Sequence, residues 1–353
     1  NNIANRSGGA IFWYGRNGTI HKSNFTNNSA LGNIEYEDSY GNLTYGGNGG
    51  AIMWTGYHGE VDNCRFINNT AKNSGGAIYL QGSKDYGNCE NTTFIYCEFI
   101  NNTAYYDGGA IDWHRGARNG VVNHSNFINN TAKRNGGAIH WNGINGTIKN
   151  SRFIDNRANG ETLQCNITIN NLSDIIVVND TLPDNPIADR LYVVNHTNIA
   201  DGAWYESYVF VNNGTSLQKI LLYEEIIDGS HPSPIDWGMD NFFGGDGGSI
   251  LWSGDTGLVD NCTFIDSNSA RRGGGAYMTG SDYVTYQNCN FTNCTSGTNG
   301  GGLDWLAGAN YGHVYNCTFN STRAARSAGA IYYDGDFGDF RNITVLNTYA
   351  YIS

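Results

Sequence analysis

The stretch NGGAIHWNG at Asn135–Gly143 is nearly repeated as NGGAIMWTG at Asn48–Gly56, and a Phe-x-x-Asn phrase follows each copy. The second glycine of the pair recurs nine times, mostly at intervals close to 27 residues. Its positions are Gly9, Gly50, Gly76, Gly109, Gly137, Gly248, Gly274, Gly301 and Gly329. A period of this size is typical of a solenoid, in which each repeat buries its apolar face against its neighbours.

Each repeat contains the pattern of three short β-strands, GAIxW, GxVxN and CxFIxN. Side chains alternate between the two faces of a strand, so Ile52 and Trp54 share one face and Met53 lies on the other. We expect the Ile and Trp positions to point into the core. We expect the Met53 position to point to solvent, because other repeats place polar residues there: Asp112, His140 and Asp304.

A sharp bend is expected between the second and third strands. Val61 and Cys64 are both apolar but have opposite parity, and the asparagine between them tolerates the left-handed conformation that a bend needs. At the ~4.8 Å spacing of strands, such asparagines would form a ladder with inward-turned amides. Its predicted members are Asn63, Asn150, Asn261, Asn288 and Asn316. The fold class is therefore all-β, a parallel β-helix with one coil of about 27 residues per repeat.

The repeat phrases are missing from one long stretch of the chain. Residues 160–246 contain strand-like segments such as NITINNLSDIIVVN, without the regularly spaced glycines. About three atypical coils would fill this interval, but we favour a β-rich insertion. The chain then comprises N-terminal coils (1–159), the insertion or atypical coils (160–246) and C-terminal coils (247–353), within one continuous solenoid.

Composition limits the possible functions. The chain of 353 residues has a net charge of −12 and no basic runs, which argues against nucleic-acid binding. Its apolar runs are too short to span a bilayer. The sequence has no metal-ligand spacing, phosphate loop or nucleophile elbow, so we expect neither a metal nor a cofactor.

The cysteines are expected to be buried free thiols. Five of the eight stand two residues before a motif Phe, where other repeats have Ser23, Ser125 or Ser151. A position that accepts either residue is a small packing site rather than half of a disulfide. The five are Cys64, Cys97, Cys262, Cys289 and Cys317, whereas Cys89, Cys165 and Cys294 lie outside this pattern and their state is left open.

The motif pair GGA[I/L/V] and FxxN resembles the repeats of the chlamydial polymorphic outer-membrane proteins. Its asparagine-rich form at Phe66–Ile78, FINNTA followed by GGAI, is similar to the adhesin-like surface proteins of methanogenic archaea. The resemblance covers about 270 of the 353 residues and excludes the middle segment. It implies a right-handed parallel β-helix on an archaeal cell surface, linked to adhesion. It leaves the ligand and the mode of anchoring undefined.

Sequons of the form Asn-x-Ser/Thr number 22 and favour an extracellular, glycosylated protein, although an Asn- and Thr-rich composition also produces them by chance. We expect Asn261 and Asn316, in the predicted ladder, to carry no glycan. The better glycosylation candidates lie in predicted exposed turns: Asn17, Asn42, Asn145 and Asn213.

An enzyme is the alternative interpretation, because many polysaccharide lyases and hydrolases are β-helices with acids and bases on one outward sheet face. Asp112, His114 and His140 would lie on adjacent coils, within about 5–7 Å of each other, and are the candidate acid–base cluster. The aromatic residues of the same column would equally suit a carbohydrate-stacking strip. A cleft flanked by two carboxylates would favour the enzyme.

We therefore predict an extracellular, cell-surface protein, adhesin-like or filament-forming, without enzymatic activity. Both end coils are expected to expose unpaired strands and an apolar cross-section, because neither carries a cap. The expected partners are copies of the chain stacked end to end, or further repeats of the same chain, and beyond these glycans or other cells. The sequence does not identify the target.

Overall fold

The computed structural model describes residues 1–32, 46–81, 89–114, 116–160 and 244–351, together with the backbone of the strands within 33–45 and 161–243. Its regular elements are all β-strands. No helix of the described residues is long and apolar enough to cross a membrane. The chain divides into two compact units, Asn1–Gly160 with Gly244–Ser353, and Glu161–Phe243.

The first unit is a parallel β-helix in which each coil contributes one strand to each of four sheets. Sheet 1 consists of Ile11–Trp13, Ile52–Trp54, Ile78–Leu80, Ile111–Trp113, Ile139–Trp141, Ile250–Trp252, Ala276–Met278, Leu303–Trp305 and Ile331–Tyr333. Sheet 2 consists of Thr19–His21, Glu60–Asp62, Thr93–Ile95, Val121–Asn123, Thr147–Lys149, Gly257–Asp260, Val284–Gln287, His313–Tyr315 and Asp339–Arg341.

The other two sheets complete each coil. Sheet 3 consists of Asn24–Thr26, Arg65–Ile67, Glu98–Ile100, Asn126–Ile128, Arg152–Ile154, Thr263–Ile265, Asn290–Thr292, Thr318–Asn320 and Thr344–Leu346. Sheet 4 consists of Ile3–Ala4, Ser29–Ala30, Thr70–Ala71, Thr103–Ala104, Thr131–Ala132, Arg157–Ala158, Asn268–Ser269, Thr295–Ser296, Arg323–Ala324 and Tyr349–Ala350. The three-strand repeat inferred from the sequence therefore missed the fourth strand, which has only two residues per coil.

The β-helix continues directly across the interval in which the repeat phrases are missing. Ile139 pairs with Ile250 in sheet 1, and Phe153 pairs with Phe264 in sheet 3. No atypical coil stands between these strands, so residues 161–243 are an insertion. A smaller hairpin, Glu35–Glu37 with Leu43–Tyr45, lies within the first interval between repeats.

The inserted unit is also built of strands. One antiparallel pair joins Glu161–Thr162 to Phe242–Phe243, and another joins Thr168–Ile169 to Ile235–Asp236. A four-stranded mixed sheet has the order Ile175–Asn179, Leu191–His196, Trp204–Val211 and Ser216–Ile220.

Aromatic rings stack in register through the core. Successive Phe rings of sheet 3, from Phe25 to Phe319, have centroids 4.5–4.9 Å apart and nearly parallel planes. The Ile and Trp positions of sheet 1 are buried in the inner coils, as expected, and Trp141 stacks on Trp252 at 4.9 Å. Because large side chains contribute about 1.5–3 kcal/mol each on burial, these columns supply much of the stability.

The repeated glycine pair has two separate physical causes. Gly49 has a φ of +64°, in the left-handed region that residues other than Gly, Asn and Asp rarely adopt. Gly50 has ordinary φ, but a Cβ there would lie 2.1 Å from the carbonyl oxygen of Gly76 in the next coil. The first glycine allows the turn, and the second allows the coils to approach.

The buried asparagine ladder is formed by residues other than the predicted ones. It uses the last residue of Phe-x-x-Asn: the backbone N and the Nδ2 of Asn69 both donate to Oδ1 of Asn102, at 3.0 and 2.9 Å. Asn69 Nδ2 also donates to the carbonyl of Phe25, so the buried amide is fully hydrogen-bonded. The same pattern extends along the column, which comprises Asn28, Asn69, Asn102, Asn130 and Asn156.

The five asparagines predicted as the ladder do occupy the left-handed bend, with φ between +51° and +54°. Their amides are not turned inward, because the bend directs them out of the coil, where four are exposed and Asn150 is half-buried. Asn261 still donates to Asn150, and Asn316 to Asn288, but these bonds lie on the surface. The expectation of an inward ladder at these positions is therefore wrong.

The seven described cysteines are buried free thiols. Cys89 donates to the carbonyl of Trp54, and Cys294 occupies the ladder column, three residues after Phe291. Burial raises the pKa of Cys97 to about 12, although the backbone of Cys64 and Ile95 opposes the shift. Cys165 lies outside the described residues.

Replacement of Asn102 by Ala is expected to lower the free energy of unfolding by at least about 2 kcal/mol. It leaves the buried backbone N and Nδ2 of Asn69 without their acceptor, and unpaired buried groups cost about 1–3 kcal/mol each. Asn261→Gly is the matched control, because glycine keeps the left-handed bend and only an exposed bond is lost, with a cost below about 1 kcal/mol. Urea unfolding of both variants tests this. Equal losses would contradict the assignment of the ladder.

Candidate functional site

The outward column of sheet 1 is buried, which corrects the expectation that it points to solvent. Met53, Asp112, Leu251 and Asp304 lie opposite the Ile and Trp core, yet all four are buried. Phe12, in the first coil, is exposed. The polar residues of this column suggested a solvated face, but they belong to buried clusters.

The first cluster contains Asp107, Asp112, Arg134 and His140. Nδ1 of His140 lies 3.0 Å from Oδ1 of Asp112, its register partner on the adjacent strand. Arg134 donates from Nε to Oδ1 of Asp107 at 2.9 Å and forms a second, shorter bond to the other carboxylate oxygen. The Arg134 guanidinium also lies over the ring of Tyr106, 5.2 Å from its centroid. The cluster thus joins two carboxylates to two basic groups.

The surroundings favour the charged forms of His140 and Asp107. Burial by itself lowers the pKa of His140, but Asp112 and Asp107 outweigh it and raise the pKa above the ordinary value. Burial likewise raises the pKa of Asp107, and the charge of Arg134 reverses the shift so that the pKa is lowered. Arg134 and a protonated His140 offset the charge of the two carboxylates, as a buried ionic cluster requires.

The third candidate acid–base residue, His114, forms a ring contact. The ring of His114 contacts that of Tyr79 in the preceding coil, with centroids 5.4 Å apart. The structure therefore brings Asp112 and His140 together as expected, while His114 lies against an aromatic ring.

A second cluster contains Asp246, Arg271, Arg272, Tyr277 and Asp304. Arg271 donates from Nε to Oδ1 of Asp246 at 2.8 Å, and the backbone N of Arg272 donates to the same oxygen. Asp304 pairs in register with Tyr277 and is 0% exposed. Among the residues that the structure describes, neither of its carboxylate oxygens has a hydrogen-bond partner. Burial raises the pKa of Asp304 to about 7, partly offset by the charge of Arg272.

The ion pairs of both clusters share one sequence pattern, which the repeat phrases alone did not reveal. Asp107 and Asp246 each precede a glycine pair, and Arg134 and Arg271 come 27 and 25 residues later, in the next coil. An Asp-Gly-Gly phrase followed after about one period by Arg would have revealed both pairs.

Asp112 and Asp304, the carboxylates of the sheet 1 column, do not form a paired acid–base site. Asp112 and Asp304 are separated by four strand steps, about 19 Å at the usual strand spacing, whereas glycosidase carboxylates lie about 5–9.5 Å apart. Asp107 and Asp112 are closer, but each already bonds to a basic side chain. Within the described part of the chain, no group of His, Cys, Asp and Glu could hold a metal ion.

The exposed corners carry the glycosylation candidates that the structure describes. Asn17 and Asn145 are both exposed, with φ of +53° and +56°. Asn145 donates to Asn119 across the corner at 3.2 Å. Asn42 and Asn213 lie outside the described residues.

Replacement of Asp304 by Asn is expected to change the free energy of unfolding more favourably above pH 7 than at pH 4. The native carboxyl keeps its proton to about pH 7, whereas the unfolded one loses it near pH 4. Native protein therefore binds more protons between these values, so its stability falls as pH rises, and the neutral Asn removes this loss.

Urea unfolding of both proteins at pH 4, 5.5 and 7.5 measures this difference. Asp255→Asn is the control, because Asp255 is exposed. A stability difference between Asp304→Asn and wild type that does not change with pH would contradict a buried, unpaired carboxyl at Asp304.

Comparison with known families finds the same repeat from sequence alone. Residues 63–81, 96–112 and 124–140 match the Chlamydia polymorphic membrane protein repeat. Each segment begins at the corner before sheet 3; the second and third end within sheet 1 of the next coil, and the first ends one residue after it. No curated protein matches the chain. A parallel β-helix with these repeats fits a surface protein of the adhesin-like type. Three coils of this chain thus carry the Chlamydia polymorphic membrane protein repeat.

Proposed function

We propose that this chain is the β-helical part of an extracellular, adhesin-like structural protein that attaches cells to surfaces or to each other. The observation that carries the proposal is the Chlamydia polymorphic membrane protein repeat, matched in three segments of a continuous β-helix. The exposed sequons at the corners support an extracellular location, because N-glycans are added to surface positions of secreted proteins.

The buried clusters on sheet 1 favour this role over the alternative of a polysaccharide-active enzyme. A general acid or base must reach the proton it transfers. Asp112 and Asp304 are buried, and Asp112 is already bonded to His140. We therefore assign the clusters to holding the coils together, with catalysis as the alternative that assays on polysaccharides would reveal.

Surface labelling of intact cells tests the proposal. Antibodies against the chain should label cells that have not been permeabilised, and external protease should remove the signal. Peptide mass spectrometry of the native protein should find glycan on Asn17 or Asn145, whose side chains are exposed. A signal seen only after permeabilisation would contradict the proposed location.

The end coils support a proposal about assembly. The last coil exposes apolar side chains, among them Phe340, Val345 and Leu346, and the first coil exposes Ile3 and Phe12. Val345 stands in the Phe column and pairs with Phe319 on one side. We propose that a coil of the same architecture covers each end, from another copy of this chain or from further repeats, so that the β-helix extends as a filament or stalk.

Self-association of the chain of 353 residues tests this assembly. Sedimentation should show association that increases with concentration, and Val345→Lys should weaken it by placing a charge in an apolar end. Thr263→Lys is the matched control, because Thr263 points outward from sheet 3 in an inner coil. A chain that stays monomeric at every concentration would contradict stacking of copies.

A further inference from the structure

One corner of the C-terminal coils carries a stack of exposed aromatic rings. Tyr283 and Tyr311 have ring centroids 4.6 Å apart, and Tyr311 and Phe337 have centroids 4.9 Å apart, with interplanar angles of 8° and 12°. Tyr283 is 52% exposed and Phe337 is 70% exposed. The three residues stand at equivalent positions just before sheet 2 in successive coils, and we call them the corner stack.

The backbone of the corner stack is in a conformation that large side chains avoid. Tyr283, Tyr311 and Phe337 have φ of +59°, +53° and +57°. Bulky residues rarely occupy this left-handed region, whereas asparagine enters it readily. Four of the five N-terminal coils have asparagine at the equivalent position, namely Asn17, Asn91, Asn119 and Asn145, and the remaining coil has His58. Aromatic residues in three successive coils thus adopt a strained backbone conformation at an exposed site, which is typical of functional positions.

Acidic residues run beside the corner stack. Asp282 and Asp336 immediately precede Tyr283 and Phe337, and Asp255 stands one coil earlier. Oδ1 of Asp255 accepts a hydrogen bond from the backbone N of Asp282, so that its second oxygen remains to accept from a ligand. Within the part of the chain that the structure describes, no Lys or Arg forms an ion pair with these three carboxylates.

The geometry favours a neutral, hydroxyl-rich ligand. Because the rings stack on one another, they present mainly their edges to solvent, and ring edges carry partial positive charge. These edges attract oxygen atoms and do not attract cations. The carboxylates accept from hydroxyl groups and repel anions. A carbohydrate chain presents hydroxyl groups and apolar C–H faces together.

The space beside the corner stack is open. A Cβ built at Gly280 or Gly308, each three residues before a stacked tyrosine, would meet no atom within 4 Å. The strip covers three successive coils, which is about 10 Å between the outer rings at the strand spacing. An extended ligand would therefore contact all three rings.

We propose that the corner stack and the adjoining carboxylates bind uncharged oligosaccharide chains. The proposal goes beyond the adhesin-like role, since it names a ligand class and a site, and it stands or falls without the filament. It also differs from the expected aromatic strip on sheet 1, whose column is buried in the inner coils.

Isothermal titration of the full chain with six-sugar oligomers of β-1,4-linked glucose, N-acetylglucosamine, xylose and mannose tests the site. At least one oligomer should bind, with little change between low and high salt. The triple variant Tyr283→Asn, Tyr311→Asn and Phe337→Asn should raise its Kd at least about tenfold, because ring contacts contribute cooperatively to one ligand. Asparagine suits the left-handed backbone, so this variant should fold.

Tyr96→Asn is the matched control, because Tyr96 is 58% exposed and has a φ of +52° on a different corner. It should leave the Kd unchanged. The proposal is overturned if no oligomer binds, if the triple variant binds as wild type does, or if Tyr96→Asn weakens binding equally. Binding only to a cationic or anionic polymer, with strong salt dependence, would also overturn it.

Discussion

In-register pairing of parallel strands is the constraint on which the rest of this structure depends. It places each residue of one coil directly above its equivalent in the next, so a buried position must accept a copy of itself as its neighbour. Phenylalanine meets this condition by stacking its ring, and asparagine meets it because one amide both donates and accepts. An aspartate does not, since like charges repel. The buried aspartates Asp107 and Asp246 accordingly take an arginine from the following coil.

The two halves of the β-helix satisfy this constraint differently. The N-terminal coils contain the continuous buried amide ladder, whereas the equivalent positions after the insertion are Ser267, Cys294 and Thr322. These small side chains do not continue the amide ladder, and within the described residues the hydroxyl of Thr322 has no hydrogen-bond partner. In the C-terminal half, Tyr286 is fully buried and packs edge-on against Trp305.

Sequence periodicity was sufficient to predict the coil, because columns repeat the same letters. It gave the buried Ile, Trp and Phe positions and the left-handed bend at Asn63. The periodicity did not show which asparagine side chains point into the core. Asn63 and Asn69 are the same residue type, and only the three-dimensional course of the chain turns one outward and the other inward. The buried clusters were harder to predict, because side chains that contact each other from adjacent coils are distant in sequence. The column that contains Asp112 therefore appeared polar and exposed, although Asp112 is buried.

Exchange of the side-chain amide protons of asparagine, followed by nuclear magnetic resonance in deuterated solvent, tests the stacked-column account most directly. The Nδ2 protons of Asn69, Asn102 and Asn130 bond within the core, so they should exchange only when the coils separate, orders of magnitude more slowly than in free peptides. Those of Asn261 and Asn316 should exchange rapidly, because these side chains are exposed. Equal, rapid exchange at both sets would contradict a buried amide ladder.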